Sequence, residues 1–219
     1  MTSPSLPPAE EQPGNIFAGY SSVKMPAHKA FEIDPYQGSG KKHPRPHIIL
    51  PSWVPGPVSM NPQHSKTLIC SMATFDNVPR TTLAEVFSHF VIPVYPNTQR
   101  RSDEYTLNAT IDWDNDNQWV IGIAYPVPPG LFTHQWTQRR YPYLPMRVAE
   151  DELDKLGEVV IQRRRKWLQM MRNPDMRRTL IIDFYNTRRN SNRSSNRPNH
   201  TIQRQVPPAQ PSGSASAVR

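Results

Sequence analysis

Cysteine and glycine are scarce in this chain, and long apolar runs are absent. The single cysteine, Cys70, excludes an internal disulfide and a zinc site built from several thiolates. Its place in the apolar segment 67–73 predicts a buried thiol. No run approaches eighteen consecutive apolar residues, and no basic start is followed by an apolar block. The sequence therefore predicts neither a membrane-spanning helix nor a standard secretory signal.

Side-chain arrangements typical of enzymes and metal sites are missing as well. The seven histidines are scattered without a helical pair, and the few glycines form no phosphate-binding loop or nucleophile elbow. Asp112, Asp114 and Asp116 have the spacing that begins a calcium loop, but Asn117 and Ile123 stand where such a loop needs Gly and an acid. A polar turn explains them more simply. We expect no catalytic residue, metal or cofactor, and a binding or assembly protein.

Positive charge is concentrated at one end of the chain. Residues 159–219 contain thirteen Lys and Arg against only Asp175 and Asp183, whereas the preceding part has a small acidic excess. Arginine matches phosphate oxygens with paired donors, so this end predicts binding to RNA or to an acidic membrane. The candidate polyanion-binding residues are Arg163, Arg164, Arg165, Lys166, Arg172, Arg177, Arg178, Arg188, Arg189, Arg193, Arg197 and Arg204.

The same basic residues have two simpler interpretations. They would also suit a solvated helix face followed by a solubility tail. The run 163–166 alone has the composition of a nuclear import signal. After residue 167 the only aromatic residues are Phe184 and Tyr185, so base stacking is not expected, and the predicted binding is electrostatic.

Composition divides the chain into three parts. Residues 1–65 are rich in Pro, Gly, Ser and His, which predicts a disordered arm. Residues 188–219 are poor in apolar groups and predict a disordered Arg, Ser and Pro-rich tail. Residues 66–187 are expected to form an α+β core domain, in which a small antiparallel sheet packs with two or three helices.

Within this core the first elements are a strand at 67–73 and a helix at 82–90. Thr82 and Glu85 have the spacing of a capping box at the start of that helix. Apolar and polar residues then alternate strictly over 105–113, and a second apolar run covers 119–125. We expect these two segments to form an antiparallel hairpin with one buried face.

The second half of the core begins with a proline-rich segment, 126–145, which predicts an irregular connection. A helix is expected over 149–173, with acids in its first turn and Pro174 as its end. Arg164 interrupts its apolar stripe, so we expect the second half of this helix to project from the core. The apolar run 179–185 predicts a closing strand.

One short motif inside the proline-rich segment suggests a partner. Tyr141, Pro142 and Leu144 fit the Tyr-Pro-x-Leu pattern by which viral proteins recruit the host budding machinery. The alternative is a proline-rich connection that packs its aromatic side chains against the core. No Pro-Pro-x-Tyr motif is present.

Two stretches resemble the matrix proteins of rhabdoviruses. In the first, 66–90, a short strand leads through Phe75 and Asp76 into a helix that ends at Ser88-His89-Phe90. In the second, 104–120, the sequence is similar to a late strand pair of that family. The order of a proline-rich arm, a compact α+β core and a strongly basic balance fits as well. The chain departs from the family in carrying its bases at the C-terminal end rather than in the arm.

The resemblance implies a viral structural protein that self-associates and bridges the viral ribonucleoprotein to the acidic inner face of the membrane. It would then occur in the virion, in the host cytoplasm and at the membrane periphery, with host budding factors as further partners. One alternative is an RNA-binding capsid or nucleocapsid protein, a movement protein or a silencing suppressor that uses the same basic end. Another is a host nuclear protein with a basic tail.

Overall fold

The computed structural model describes residues 11–33, 43–56, 67–127 and 130–194. Over these ranges the chain is an α+β protein, and every strand pairing in its sheets is antiparallel. The predicted fold class is therefore confirmed. The sheet is larger than expected, with seven strands, and the described helices number four rather than two or three.

The main sheet has the strand order β4-β5-β3-β2-β1-β7, and β6 lies beside β3 next to β5. A separate two-stranded sheet consists of β8 and β9. The strands are β1 (Ile16–Ser21), β2 (His43–Ile49), β3 (Leu68–Ala73), β4 (Val91–Pro93), β5 (Trp119–Ile121), β6 (Tyr125–Pro126), β7 (Phe132–Gln135), β8 (Thr137–Gln138) and β9 (Tyr141–Pro145). The helices are α1 (Lys24–Ala30), α2 (Glu85–Phe90), α3 (Glu150–Met171) and α4 (Pro174–Ser194).

The centre of the sheet comes from the part of the chain that composition assigned to the arm. β1 and β2 pair over six residues, and β2 continues the sheet to β3. The prediction of a disordered arm over 1–65 is therefore wrong for 11–33 and 43–56. Residues 1–10, 34–42 and 57–66 lie outside the described ranges.

The prolines of β2 explain how a proline-rich segment enters a central strand. The amide of Ile49 donates to the carbonyl oxygen of Asn15, and the amide of Leu50 donates to that of Leu68. The backbone N–H groups of odd-numbered residues in β2 therefore point toward β1, and those of even-numbered residues point toward β3. Pro44 and Pro46 occupy even positions, where an amide would point toward β3. Pairing with β3 begins only at His47. The missing N–H groups therefore cost no ladder hydrogen bond.

Alternate residues of the sheet enter different core clusters, as the two-residue period of a strand requires. Ile16, Ile48 and Cys70 face one cluster, which also contains the buried residues Leu153, Leu156 and Val160 of α3. On the opposite face, neighbouring sheet residues join a smaller cluster, Phe17, Ile49, Ile69, Tyr125 and Leu131. The predicted buried state of the Cys70 thiol is confirmed, and burial raises its pKa.

A third cluster is mainly aromatic and joins all four helices to the end of the sheet. Its largest buried members are Phe31, Phe87, Phe90, Trp119, Trp167 and Phe184. Trp167 is only 2% exposed and donates its indole proton to the carbonyl of Ala30 over 3.0 Å. The second half of α3 therefore packs on the core, and the prediction that it projects is wrong.

The predicted closing strand at 179–185 is part of α4. Asn173 accepts the amide protons of Asp175 and Met176 on its side-chain oxygen, at 3.0 and 3.2 Å. Pro174 is the first residue of the new helix, where its missing amide has no partner to lose. Leu180 and Phe184 are both buried and lie four residues apart. Pro174 thus starts a helix rather than only ending one.

The segment 105–113 has the expected alternation without the expected hairpin. Leu107 and Trp113 are buried, and the even positions between them are exposed. Its contacts are isolated bridges, from Leu107 to Val94 and from Ala109 to Val148, while β5 pairs with β3 and β4. Segment 105–113 therefore does not pair with β5, and the hairpin prediction is wrong. The alternation persists because an extended segment can bury every second side chain whether or not it joins a sheet.

Three further predictions need correction. The capping box is absent, because Thr82 donates its hydroxyl proton to Pro79 and the amide of Glu85 donates to Asp183 on α4. The segment 126–145 is not irregular throughout, since it contributes β6 to β9. The predicted tail also begins too early, because α4 continues to Ser194. Residues 195–219 lie outside the described ranges.

Candidate polyanion-binding surface

The predicted polyanion-binding residues that the structure describes lie on the hairpin of α3 and α4. The first turn of α3 holds Glu150, Asp151 and Glu152, where negative charge opposes the positive end of the helix dipole. Apart from Lys155, which pairs with Asp151 and Glu152, its bases follow in the second half, beginning at Arg163. The side-chain charge of α3 therefore changes from acidic to basic along the helix. The direction in which each basic side chain points depends on its position around the helix axis.

Arg163 points inward and serves the fold. Its guanidinium donates to the carbonyl oxygens of His89 and Val91, at 2.9 and 2.5 Å. It also pairs with the Glu104 carboxylate at 3.1 Å, and the side chain is only 17% exposed. Burial lowers the pKa of Arg163, and the bond to Glu104 opposes that shift. Arg163 is therefore not part of a free polyanion-binding surface.

Glu104 lies between two arginines. Its second oxygen accepts a hydrogen bond from Arg80 at 2.5 Å, and the Arg80 guanidinium lies 5.4 Å from the centre of the Trp119 ring. The carboxylate and both guanidinium side chains are largely buried. This buried cluster connects α3 to the 98–107 loop and to Val91, the first residue of β4. It also neutralises the charge of Arg163, the first base of the predicted run.

Arg164 uses only part of its hydrogen-bonding capacity within the fold. One of its nitrogens donates to the carbonyl oxygen of Pro55 at 2.7 Å, which holds the segment 51–56 against α3. Burial lowers its pKa, while Glu32 raises it. A guanidinium has five N–H donors, and the bond to Pro55 uses one of them. Arg164 can therefore still face an anion.

Five further bases of the hairpin face solvent. The side chains of Arg165, Lys166, Arg172 and Arg178 are exposed, and they form no hydrogen bond or ion pair with any other described residue. Arg177 is exposed too, although one of its nitrogens donates to the Phe31 carbonyl at 3.2 Å. These five side chains can meet phosphate groups without first breaking a salt bridge.

The acids of this end do not cancel the exposed bases. Asp183 accepts the backbone amide of Glu85 at 2.7 Å and so serves as a cap for α2. Asp175 is exposed in the first turn of α4. Of the other predicted residues, Arg188, Arg189 and Arg193 lie in the last turns of α4, of which only the backbone is described, and Arg197 and Arg204 lie outside the described ranges.

The Tyr-Pro-x-Leu motif forms β9 and lies on the surface. All five residues of this strand are exposed, including Tyr143 at 91%. Tyr141 and Leu144 are about half exposed. The alternative that this segment packs its aromatic side chains against the core does not hold for Tyr141 and Tyr143.

A buried polar cluster escaped the sequence analysis. His47 accepts or donates through both ring nitrogens, to Ser21 and Ser71 at 3.1 Å each, and Ser71 also contacts the Tyr125 hydroxyl at 2.5 Å. Burial lowers the pKa of His47 to about 4, so the ring is neutral near pH 7. His47 and Ser71 have no exposed surface, and no substrate can reach them. The cluster satisfies polar groups inside the sheet.

An apolar crevice beside α3 also escaped it. Its walls come from α1, α2, the interruption between β5 and β6, and α3, and they are Lys29, Ala30, Glu32, Phe90, Gly122, Ile123, Ala124, Arg164, Trp167 and Leu168. Nearby, the loop after β2 places Trp53 on the same helix. The isolated Trp in a proline-rich segment was the only available signal.

The described helices include none that is long and apolar enough to cross a membrane. Comparison with protein-family models, with curated proteins and with solved structures finds no match to this chain. The geometry of the exposed bases is therefore the starting point for a functional proposal.

Proposed function

We propose that this protein is a non-enzymatic, matrix-type viral structural protein that self-associates and bridges a ribonucleoprotein to the acidic inner face of a membrane. One observation carries the proposal: Arg165, Lys166, Arg172, Arg177 and Arg178 are exposed together on the α3–α4 hairpin. Several phosphates bound at once would release counterions and give affinity that depends steeply on salt. The resemblance to rhabdovirus matrix proteins supplies the viral setting.

Charge reversal tests this surface better than truncation does. Removing 159–219 would also remove Trp167, Leu180 and Phe184, which are buried in the aromatic cluster. The sharper variant changes the exposed Arg165, Arg172 and Arg178 to Glu. A matched control changes three exposed bases elsewhere, Arg100, Arg139 and Arg140, to Glu, and so alters the net charge equally.

Vesicle flotation and RNA titration measure the outcome. The hairpin variant is expected to lose binding to phosphatidylserine vesicles and to single-stranded RNA, and the control is expected to keep most of both. Equal losses in both variants would mean that net charge alone matters and would overturn the proposed surface. For bridging, RNA should float with anionic vesicles only when the full chain is present. RNA binding without co-flotation would favour the capsid or nucleocapsid alternative.

The exposed β9 strand supports the proposed contact with host budding factors. In the motif, Tyr141 and Leu144 occupy specified positions, whereas Tyr143 occupies the variable one and is the most exposed of the three. Changing Tyr141 and Leu144 to Ser should lower the release of particles from cells. Tyr143→Ser is the matched control and should leave release unchanged. Equal release by both variants would contradict a role for this motif.

A further inference from the structure

A half-exposed tryptophan packs against α3 at the position of a glycine. Trp53 is 48% exposed, and a Cβ atom placed on Gly157 would lie 2.3 Å from its ring. Such an approach is possible only where the helix has no side chain. The bond from Arg164 to the Pro55 carbonyl fixes the same loop about two turns further along the helix. Trp53 is therefore a positioned surface group.

The surface beside Trp53 continues along α3 with apolar and basic side chains. Ile161, Arg164, Arg165 and Leu168 follow Gly157 at intervals that keep them on one side of a helix. Leu168 is 38% exposed, and Ile161 is partly exposed. This side of α3 thus presents Trp, Ile and Leu between guanidinium groups. We refer to Trp53, Ile161, Arg164 and Leu168 as the crevice face.

The crevice lies at the end of this face and has a basic rim over an apolar floor. Lys29 and Arg164 stand at the rim with Glu32, and Phe90, Ile123 and Trp167 form the floor. The indole N–H of Trp167 is already bonded to Ala30, so this side chain offers no free donor to a ligand. The crevice has a volume of about 40 Å³, and its apolar floor suits the end of an apolar chain.

We propose that the crevice face docks on an anionic phospholipid surface. Trp53, Ile161 and Leu168 enter the boundary between headgroups and acyl chains, where an amphipathic indole is favoured. Lys29 and Arg164 contact headgroup phosphates at the rim. Arg165 and Arg172 add positive charge along the second half of the same helix. The exposed acids of α3, which are Glu150, Asp151, Asp154 and Glu158, lie in its first half, and Glu32 lies beside the crevice. Around the crevice and the second half of α3 the cations outnumber the acids, which matches an acidic membrane.

This site rests on the proposed function but goes beyond it. The proposed function needs only electrostatic attraction between exposed bases and phosphates. The crevice face adds insertion of apolar side chains, which attraction alone does not require. Single-stranded RNA could stack on the outer face of Trp53, but it would gain nothing from Ile161 and Leu168. The apolar neighbours therefore favour the membrane.

Tryptophan fluorescence can detect this insertion directly. The other tryptophans, Trp113, Trp119, Trp136 and Trp167, are buried or partly buried, so a quencher inside the bilayer should reach mainly Trp53. The full chain is mixed with phosphatidylserine vesicles that contain brominated phosphatidylcholine. We expect quenching of the emission, and we expect Trp53→Phe to remove most of it. Quenching equal in both proteins, or none in the wild-type protein, would overturn the proposal.

A second variant tests the apolar contribution without altering charge. Leu168→Ser should weaken vesicle binding by up to about tenfold, which corresponds to ~1.4 kcal/mol. Val78→Ser, at a side chain of almost the same exposure elsewhere, should leave it unchanged. If Leu168→Ser binds normally while charge reversal of the hairpin abolishes binding, the crevice face is not inserted and the proposed function survives. If RNA rather than vesicles shields Trp53, the membrane site is likewise wrong.

Discussion

Arg163 and Arg165 are two residues apart in one basic run, yet the fold uses them in opposite ways. Two helical residues at this spacing point about 200° apart around the axis. Arg163 is therefore directed to Glu104 and to two backbone carbonyls, whereas Arg165 is exposed. The difference teaches that basic residues adjacent in a sequence need not lie on the same surface, because the position of each residue around the helix axis decides where its side chain points.

The largest expected effect comes from removing Arg163, the buried member of this pair. Arg163→Ala leaves the carbonyls of His89 and Val91 without this donor and Glu104 with only Arg80. We expect a loss of about 3 kcal/mol in the free energy of unfolding, because removing one partner of a buried ion pair is costly. Denaturant unfolding measures it. Arg165→Ala, the matched control, should change stability by less than about 0.5 kcal/mol; similar losses in both would contradict the assignment.

Acid should weaken the interior through His47 and leave the exposed guanidinium groups charged. The pKa of folded His47 is about 4, below the ordinary value of 6.5, so the fold favours the neutral ring. Its contribution to stability is complete above pH 6.5 and is lost as the pH falls toward 4, by up to about 3 kcal/mol. Unfolding measured across this range should show the decline. His47→Gln should flatten it, whereas a change at the exposed His134 should not.

The role of the exposed bases can be tested through the salt dependence of RNA binding. Changing Arg165, Arg172 and Arg178 together to Ala should lower the slope of log affinity for single-stranded RNA against log salt by about 2, since each lost phosphate contact removes ~0.7. Fluorescence anisotropy at a series of salt concentrations gives the slope. Stability should stay nearly constant, because these side chains are exposed. An unchanged slope would mean that phosphates bind elsewhere.

The smallest expected effect concerns the Trp53 contact. In Gly157→Ala the new methyl group would overlap the ring, so Trp53 must move away from α3. Better helix propensity offsets part of the lost packing, and we expect the net change in stability to stay within about 1 kcal/mol. The emission of Trp53 should nevertheless shift to longer wavelength as the ring becomes more exposed. An unchanged spectrum would show that the ring does not depend on Gly157 for its position.

Several elements could be predicted because local patterns dominate them. The strand at 67–73 has a buried β-branched and apolar run, and α3 has acids in its first turn and a long apolar stripe. Both predictions were correct to within about two residues. The exposed state of Arg165, Lys166 and Arg172 also follows from their distance from that stripe on the helical wheel.

Other features depend on partners that are distant in sequence. Proline density suggested disorder for 43–49, and Pro44 and Pro46 are tolerable there because β2 pairs with β3 only from His47 onward. The apolar run 179–185 fits a strand or a helix, and the Asn173 cap decides between them. Arg163 could not be separated from its neighbours, because Glu104 is fifty-nine residues away. The crevice joins four separate segments, and no single stretch of sequence contains it.

The position of β1 sets the order in which the protein can become complete during synthesis. β1 pairs with residues 132–135, and Asn15 bridges to Arg147, so one edge of this early strand stays without its partner until more than a hundred further residues have been made. Contacts of such long range slow folding, because the loop must close before the pairing stabilises it. The basic hairpin follows every described strand in the sequence, so it can pack on the aromatic cluster only after the strands have been synthesised. On the ribosome, the proposed polyanion-binding surface is therefore completed only after the sheet behind it.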